Sequence, residues 1–285
     1  MSQGLPAACV IGWLVEHSRS PLIHNYWLKA CGIAGAYRRE AVPPERFGDF
    51  LQSLAGRGYV GANLIFPHKE AALAWSEADD RARAVGAANT LWLDDGVLCA
   101  TNTDVEGFLD NLDACAPGWD ANGGTAVVLG AGGAARAVVY GLLERSMPRV
   151  VVINRTPARA QALQQWFGAR VRIAAWDERD HWLREARLLV NATKLGMPGQ
   201  PDLILDIGRL PADAAVADLV YVPLITPLLG AAAARALRTA DGLGMLLRQA
   251  VPQFQLWFGK KPEITNELRG LLEENLSHPL PRSQE

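Results

Sequence analysis

The middle of the chain carries an apolar run, a glycine-rich turn, a helix-prone stretch and a second apolar run, in that order. The first run covers 125–129, the turn begins at Gly130, the helix-prone stretch covers 134–145 and the second run covers 149–153. Short apolar runs bounded by turn residues indicate buried strands. The pattern therefore predicts a strand, a tight turn, a helix and a second strand, which together form one βαβ unit.

The part of the chain before this unit predicts a separate set of strands and helices. Strands are predicted at 8–13, 37–41 and 60–65, and a hairpin at 90–93 and 98–101 around the turn Asp94-Asp95-Gly96. Helices are predicted at 21–31, 45–57, 69–75, 78–85 and 104–113. This alternation predicts an α/β domain ahead of the βαβ unit.

The part of the chain after the βαβ unit continues the alternation. Further strands are predicted at 188–191 and 216–221, whereas Ile173 is a poor strand candidate. Each of these strands follows a helical or looped crossover, which predicts a parallel sheet. A turn is predicted at 241–244, a helix that Pro252 should kink or divide at 245–258, and a terminal helix with Leu268, Leu271, Leu272 and Leu276 on one face. Residues 278–285 are expected to fray.

These elements predict an α/β protein with two α/β domains around a cleft. A linker rich in Gly, Asn and Asp at 117–124 precedes the βαβ unit. Residues 107–239 are predicted to form a dinucleotide-binding domain of the Rossmann type, which is a doubly wound parallel sheet. Residues 1–106 are predicted to form a substrate-binding and catalytic domain together with 240–285, whose helices fold back onto it. A cleft between two domains is a usual site for a small ligand.

Composition and charge exclude several classes of protein. The 285 residues are 49% hydrophobic and 20% charged, with a net charge of −2 and no long basic run, so we expect a soluble protein without a nucleic-acid or membrane partner. The apolar run 7–15 has no Lys or Arg before it and predicts a first strand, not a signal peptide. No run is long enough to predict a transmembrane helix. The four cysteines are scattered without a C-x-x-C pair, which predicts reduced thiols in a cytoplasmic protein and no metal site.

The glycine-rich turn has the spacing of a dinucleotide-binding loop. Gly130 permits a tight turn, Gly132 lets the backbone approach a pyrophosphate, and Ala135 is the third small position, where helix packs on strand. Phosphates would lie at the N-terminus of the following helix, on free N–H groups. The alternative is a glycine-rich turn that only joins a strand to a helix.

The end of the second strand indicates which dinucleotide is bound. Asn154, Arg155 and Thr156 follow this strand, and Arg159 comes shortly after. No carboxylate stands where NAD enzymes place one on the ribose, and two guanidinium groups can hold a 2′-phosphate. The turn therefore predicts NADP(H) over NAD(H). A solvated basic turn is the alternative, and Thr156 is also a candidate helix cap.

With NADP(H), the expected chemistry is hydride transfer, which also requires an ionisable side chain to handle one proton. Lys69 follows the end of a predicted strand, and Asp104 begins a predicted helix. A lysine beside an aspartate can polarise a carbonyl and pass a proton to the forming alcohol. The alternatives are a surface lysine and a helix N-cap.

A series of short motifs runs along the chain. They are HSRSPLIHN at 17–25, GAN to PHK at 61–69, GAANT at 86–90, NTD at 102–104, the glycine-rich loop, NRT at 154–156, NAT at 191–193 and DGLGM at 241–245. In this order they resemble the shikimate dehydrogenase family over nearly the whole chain. The resemblance implies two α/β domains around a cleft and reversible reduction of 3-dehydroshikimate to shikimate by NADPH, in a monomer or homodimer.

The resemblance also implies roles for individual side chains. Lys69 and Asp104 would be the catalytic pair. The substrate-binding residues would be Ser18 and Ser20 for the carboxylate, with Tyr221, and Asn63, Asn89 and Gln249 for the ring hydroxyls. The cofactor-binding residues would be Gly130, Ala131, Gly132, Gly133, Ala134, Asn154, Arg155, Thr156, Arg159, Asn191, Thr193, Gly242 and Met245. His17 and His24 are expected to be structural, and His68 to be a solvated or capping group.

The chain departs from the family pattern in the predicted substrate pocket. The family usually has Thr two residues after the Asn63 position, where this chain has Ile65, and Trp13 follows Gly12 in a turn that usually contains Pro. A ring hydroxyl that Thr would serve must find another partner or stay unpaired. A sibling dehydrogenase acting on quinate, aminoshikimate or another shikimate-like ring is therefore an alternative. A non-catalytic NADP-binding sensor is a third.

Overall fold

The structure is a computed structural model that describes residues 5–13, 15–121 and 123–277. The chain divides into two compact units, one formed by Met1–Thr103 with Gln249–Glu285 and the other by Asp104–Arg248. Within the described residues, no helix combines the length and apolar character needed to cross a membrane. The predicted fraying of 278–285 lies outside the described residues.

The first unit is built on a mixed six-stranded sheet. Its strands are β1 (Ala7–Gly12), β2 (Ala36–Ala41), β3 (Tyr59–Leu64), β4 (Glu77–Ala78), β5 (Thr90–Asp94) and β6 (Val97–Thr101), and its first helices are α1 (Ser20–Ala30), α2 (Phe47–Gln52) and α3 (Asp80–Val85). The strand order is β2-β1-β3-β5-β6-β4. β1 pairs in parallel with both neighbours, whereas β5 is antiparallel to β3 and β6. The carboxyl ends of β1 and β3 therefore lie at the same end of the sheet.

The second unit contains the predicted βαβ segment within a fully parallel sheet. Its elements are α4 (Asp104–Cys115), β7 (Thr125–Leu129), α5 (Gly133–Glu144), β8 (Arg149–Ile153), α6 (Pro157–Phe167), β9 (Val171–Ala174), α7 (Arg179–Leu183), β10 (Ala186–Asn191), β11 (Ala215–Asp218), α8 (Pro227–Ala234) and β12 (Arg238–Ala240). The strand order is β12-β11-β10-β7-β8-β9. Chain order reverses direction beside β7, as in a doubly wound nucleotide-binding sheet. The predicted α/β fold with a Rossmann-type sheet is confirmed.

Two further helices follow, α9 (Gly242–Phe258) and α10 (Asn266–Ser277). The division between the units falls inside α9, after Arg248. α9 contains Pro252 and is not divided by it. The predicted turn at 241–244 is wrong, because the helix already begins at Gly242. There the Asp241 carboxylate accepts the Gly244 N–H at 2.7 Å and holds the helix start.

The buried faces of the first sheet follow the two-residue period of a strand. Ala7, Cys9 and Ile11 of β1 belong to one apolar cluster, with Leu64 and Leu91. The alternate residues Ala8 and Val10 belong to a second cluster on the other face, with Val15, Tyr37 and Trp257. β1 is thus covered on both sides, and its carboxyl end is a fixed platform for the loops that follow.

Tertiary packing overrode the local pattern in several places. The predicted helix 45–57 consists of the short α2 flanked by 3-10 turns, and only Ala71–Ala74 of the predicted helix 69–75 forms a 3-10 turn. A β-carbon at Gly48 would lie 2.4 Å from the Trp75 ring, so this glycine admits the indole. Ile173, a poor strand candidate in the sequence, lies in β9, which is the last strand of the sheet order and pairs with β8.

The predicted hairpin is confirmed between β5 and β6. Its turn residues Asp95 and Gly96 have φ of 47° and 86°. Positive φ at both central positions is the requirement of the two-residue turn that matches strand twist. The turn residues and the two flanking apolar runs were therefore sufficient to predict this hairpin.

Candidate active site

Lys69 is positioned by the loop at the carboxyl end of β3. The main chain beyond β3 keeps pairing with β1, since Ile65 N–H donates to Ile11 O at 3.0 Å and Trp13 N–H donates to Phe66 O at 3.1 Å. The chain then turns, with His68 N–H bonded to Ile65 O at 3.0 Å. Lys69 O accepts the Ala88 N–H at 2.8 Å. The main chain of the half-buried Lys69 is therefore fixed by the turn before it and by the bond from Ala88.

His68 anchors the same loop, and the expectation of a solvated or capping group is wrong. Its ring is 2% exposed and stacks on Phe47 with centroids 4.2 Å apart. Nε2 lies 2.7 Å from Val42 O. Burial lowers the pKa of His68, and the hydrogen bond to Val42 opposes this effect. A neutral, stacked imidazole thus fixes the residue next to Lys69.

The loop at 86–89 also holds the segment that leads to Asp104. Asn102 Nδ2 donates to Ala87 O at 2.8 Å, and Thr103 N–H donates to Asn89 Oδ1 at 2.8 Å. Asp104 is the next residue, the first of α4, and it is 5% exposed. One loop therefore fixes both Lys69 and the residue that precedes Asp104.

Ser18 and Ser20 lie at the start of α1 and are both buried. The Ser20 N–H donates to Ser18 Oγ at 3.3 Å, and Arg39 Nη2 donates to Ser18 O at 2.8 Å. The serines are therefore held in one turn, with a guanidinium group beside them. Such a turn with two hydroxyls and a nearby positive charge suits a carboxylate.

Asn63, on β3, is oriented by a residue that sequence reasoning missed. The hydroxyl of Tyr37, on β2, donates to Asn63 Oδ1. Burial raises the pKa of Tyr37, so its phenol stays protonated and acts as a donor. The Asn63 oxygen is thus engaged inside the protein, and its NH₂ is the end that can serve another group. No local signal marks Tyr37, which pairs with Asn63 only through the β2-β1-β3 order.

Asn89 and Gln249 belong to one buried polar cluster. Asn89 Nδ2 donates to Thr103 Oγ1 at 3.0 Å and to Gln249 Oε1 at 3.2 Å. Its Oδ1 accepts from Thr90 Oγ1 at 2.8 Å, besides the Thr103 N–H. The cluster also contains Gln253, which sequence reasoning missed. The available signal was its position one helical turn after Gln249.

The glycine-rich loop has the geometry that a pyrophosphate requires. Gly130 has φ of 109°, and its N–H bonds to Ile153 O at 2.8 Å. A β-carbon there would lie 2.8 Å from Ala192 O, so only glycine fits. At Gly132 a β-carbon would meet, apart from its chain neighbours, no atom of the described residues within 4 Å. Because Gly132 immediately precedes α5, the open space lies at a helix N-terminus, where phosphates bind. Gly133 and Ala134 form the first turn of α5, and Ala135 is fully buried as a third small position requires.

The turn after β8 exposes two guanidinium groups. Arg155 and Arg159 are both exposed, and Asn154 Nδ2 donates to Thr156 O at 2.8 Å, which shapes the turn. Thr156 is the N-cap residue of α6, as suggested, but its side chain makes no capping hydrogen bond with the residues that the structure describes. The end of β8 is bonded to the glycine-rich loop through the Gly130 N–H and Ile153 O. The two exposed guanidinium groups therefore follow a strand that ends beside this loop.

A further polar network lies at the carboxyl ends of β10 and β11. The fully buried Asn191 donates to Asp218 Oδ1 at 2.9 Å and accepts from Thr193 Oγ1 at 2.7 Å. Asp218 also accepts from Thr226 Oγ1 at 2.7 Å. Burial raises the pKa of Asp218, while its hydrogen bonds oppose this effect. The side chains of Asn191 and Thr193 therefore shape the loop after β10.

The remaining predicted cofactor and substrate positions lie elsewhere in the second unit. Gly242 packs against the main chain of Leu219, where a β-carbon would lie 2.5 Å from its O. Met245 is buried in α9, and Tyr221 is half-buried. In the described residues, no group of three or more His, Cys, Asp or Glu side chains could hold a metal ion.

Three protein-family models match successive segments of the chain. The shikimate dehydrogenase substrate binding domain matches residues 10–91, shikimate / quinate 5-dehydrogenase matches 116–198, and the shikimate 5'-dehydrogenase C-terminal domain matches 242–265. Together they cover both units.

Individual proteins match over almost the full length. A curated shikimate dehydrogenase (NADP(+)) of Rhodopseudomonas palustris strain BisB18 is 61% identical over 273 residues, which is 96% of this chain and 98% of that protein. The crystal structure of shikimate 5-dehydrogenase from Thermus thermophilus in complex with NADP(H) and shikimate is 39% identical, with a TM-score of 0.82, and the match covers 96% and 99% of the two chains. Quinate dehydrogenase from Corynebacterium glutamicum in complex with NAD is 31% identical, with a TM-score of 0.85 and the same coverage. On these matches, the chain belongs to the family of NADP-dependent shikimate dehydrogenases.

Proposed function

We propose that this protein reversibly reduces 3-dehydroshikimate to shikimate with NADPH, a step of chorismate and aromatic amino acid biosynthesis. The observation that carries the proposal is the 61% identity to a curated shikimate dehydrogenase (NADP(+)) over 96% of the chain. The position of Lys69 supports it. The 86–89 loop, which bonds to the Lys69 main chain through Ala88, also contains Asn89 and bonds through it to Thr103. An ammonium group and hydroxyl-binding amides thus share one edge of the first sheet.

Lys69 and Asp104 handle the proton in this proposal. NADPH, when bound, supplies a hydride to the carbonyl carbon of the substrate. The Lys69 ammonium stabilises the negative charge that develops on the carbonyl oxygen and donates the proton that completes the alcohol. In the oxidation direction the amine takes this proton back. Asp104 assists Lys69, and the two act as one functional unit.

The substrate is held by hydroxyl and amide groups. Ser18 and Ser20 bind its carboxylate, with Tyr221 as a further hydroxyl. Asn63, Asn89 and Gln249 serve the ring hydroxyls, Asn89 chiefly by holding Gln249 through the bond at 3.2 Å. Because the Asn63 oxygen is directed at the Tyr37 hydroxyl, the NH₂ is the end that Asn63 offers to a ring oxygen.

The cofactor is held by the second unit. The first turn of α5 would hold the pyrophosphate on its free N–H groups, next to the open space at Gly132. Arg155 and Arg159 bind the 2′-phosphate, in a turn shaped by Asn154 and Thr156. Ala131 continues this loop, and Asn191, Thr193, Gly242 and Met245 are the further residues that would contact the cofactor. A cytoplasmic location and a monomeric or homodimeric state stay predictions.

A sibling dehydrogenase is the second candidate, and Ile65 favours it. Ile65 lies next to Asn63 and brings no hydroxyl to the pocket. A substrate that is less hydroxylated, or substituted differently from shikimate, would tolerate an alkyl group there. Quinate and aminoshikimate are ring acids of this kind.

The test follows NADPH formation with shikimate, quinate and aminoshikimate, each with NADP and with NAD. We expect the highest kcat/KM for shikimate with NADP. A higher kcat/KM for another ring acid would show that this acid, and not shikimate, is the preferred substrate. If no ring acid is oxidised while NADP still raises the melting temperature, the protein is a non-catalytic NADP-binding sensor.

A further inference from the structure

Gln253 lies at the centre of the buried polar cluster of the first unit. It is on α9, one turn after Gln249, and is fully buried. Its Nε2 lies 2.7 Å from Gln249 Oε1, 3.0 Å from Thr90 Oγ1 and 3.2 Å from Thr103 Oγ1. The shortest of these bonds goes to the residue that is proposed to bind a ring hydroxyl.

The bonds to Gln249 determine which end of its amide faces inward. Gln249 Oε1 accepts from Gln253 Nε2 and, at 3.2 Å, from Asn89 Nδ2. A carbonyl oxygen has two lone pairs, and both are occupied by these donors. The NH₂ group is therefore the end of Gln249 that is directed away from the cluster.

The opposite orientation of Gln249 is disfavoured by its neighbours. A flipped amide would place its NH₂ against the NH₂ groups of Gln253 and Asn89, so that donors would face donors. Asn89 cannot compensate by flipping, because its Oδ1 accepts the main-chain N–H of Thr103, which is a donor only. Gln253 cannot compensate by flipping either, because the Thr90 hydroxyl donates its hydrogen to Asn89 Oδ1 at 2.8 Å and therefore accepts from Gln253 Nε2.

The oxygen of the Gln253 amide indicates that a polar side chain at this position does not serve to stabilise the core. Gln253 Oε1 is buried without a hydrogen-bonding partner among the described residues, as are both ring nitrogens of His24. An unpaired buried oxygen destabilises a core, and an apolar side chain of similar shape would avoid it. Fold stability alone does not account for an amide at this position.

We propose that Gln253 is a positioning residue that fixes the Gln249 amide with its NH₂ toward the substrate, so that Gln249 donates to an oxygen of the ring. The inference rests on the proposed function, in which Gln249 binds a ring hydroxyl. Gln253 itself touches no substrate atom in this arrangement. It acts by deciding the donor and acceptor polarity of its neighbour.

The experiment combines Gln253→Met, Gln249→Ala and the double variant in steady-state kinetics with shikimate and NADP. Methionine keeps the length of glutamine and removes the donor. We expect Gln253→Met to raise the KM for shikimate about 3- to 10-fold, the effect of one lost neutral hydrogen bond. The KM for NADP should stay unchanged, kcat should change less than KM, and Tm should be equal or higher. In the Gln249→Ala background, Gln253→Met should have no further effect on the shikimate KM.

The matched control is Gln255→Met, the same substitution at an exposed glutamine of α9, which should leave all constants unchanged. If Gln253→Met does not fold, Gln253→Leu replaces it in the same cycle. A normal shikimate KM in the folded Gln253 variant would overturn the inference, as would an equal increase with and without the Gln249 amide. A normal shikimate KM in Gln249→Ala would instead contradict the proposed role of Gln249.

Discussion

The side chain of Ile65 lies directly on the α-carbon of Gly12. A β-carbon at position 12 would be 2.3 Å from Ile65 Cγ1 and 2.6 Å from Cδ1. The two residues stand at the carboxyl ends of β3 and β1, which remain paired there through the Ile65 N–H. Ile65 also packs against the apolar cluster that contains Val15 and Tyr37. Since Tyr37 bonds to Asn63, Ile65 lies on the face of the sheet that carries the proposed substrate ligands.

Gly12→Ala should displace Ile65 and disturb the pocket next to Asn63. The added methyl group cannot fit without a shift of Ile65, since the contact would be far below van der Waals distance. We expect a loss of about 1–3 kcal/mol in unfolding free energy, as for overpacking, measured by urea unfolding. The double variant Gly12→Ala, Ile65→Ala should recover much of this loss. Equal loss in the single and double variants would show that Ile65 is not the obstacle.

Ile65→Thr should raise kcat/KM for shikimate, by up to about tenfold, because it restores a hydroxyl that can pair with a ring hydroxyl. The measurement is steady-state kinetics with shikimate at saturating NADP. Ile264→Thr, at a partly exposed isoleucine of the same unit, is the control and should have no effect. A lower kcat/KM for shikimate would indicate that the native ligand presents an apolar edge at this position, or that Ile65 serves the core.

Lys69→Ala should lower kcat by about 10²–10⁴-fold, the range of a lost acid–base group. Substrate and NADP binding should change much less, because Ser18, Ser20 and the second unit are untouched. Lys29→Ala, at an exposed lysine of α1, is the control. Near-normal turnover in a folded Lys69→Ala protein, checked by circular dichroism, would leave Lys69 as an ordinary lysine.

Asp104→Ala should lower kcat by a similar factor, for the same reason. The double variant Lys69→Ala, Asp104→Ala should lose less than the product of the two single losses, because residues that act as a unit are not additive. The measurement is a double-mutant cycle in kcat. Strict additivity would show that the two side chains act independently and not as a unit.

Arg155→Ala should raise the KM for NADP much more than that for NAD. The guanidinium group is expected to pair with the 2′-phosphate, which NAD lacks. Arg184→Ala, at an exposed arginine of the same unit, is the control. Equal increases for the two dinucleotides would assign Arg155 to folding or to the parts that the cofactors share.

The buried ring of His24 should make stability depend on pH. Burial lowers the pKa of His24 to about 3, with a smaller opposing effect of the Gln253 side chain, and the ring stacks on Tyr37 at 4.3 Å. Above the ordinary histidine pKa, folded and unfolded states are both neutral and the full stability is present. Below it, His24 is protonated in the unfolded chain but stays neutral in the folded protein. The free energy of unfolding therefore falls by up to about 1.4 kcal/mol per pH unit.

His24→Phe should reduce this fall in unfolding free energy between pH 6.5 and 4.5 by about 2 kcal/mol. Urea unfolding at several pH values measures it, with His181→Phe, at an exposed histidine, as the control. His68, whose pKa is also lowered, contributes in the same direction in every variant. Parallel pH profiles for wild type and His24→Phe would contradict the prediction.

The sequence by itself determined the elements whose signals are local. The β7, α5 and β8 segments and the β5–β6 hairpin follow from short apolar runs and turn residues, which act over a few positions. The glycine spacing, the basic turn after β8 and the motif order also identified the family and the candidate residues of the site. These features need no knowledge of what lies across the fold.

The tertiary structure decided which distant residues meet. β9 exists through its pairing with β8, Tyr37 bonds to Asn63 because β1 separates β2 from β3, and His68 is buried because Phe47 stacks on it. Gln253 joins Thr90 and Thr103 only after α9 has packed against the first sheet. Hydrogen bonds and ring contacts of this kind depend on atoms far apart in the chain. A periodic pattern fixes the face a residue occupies, whereas its partner is fixed by the packing of whole elements.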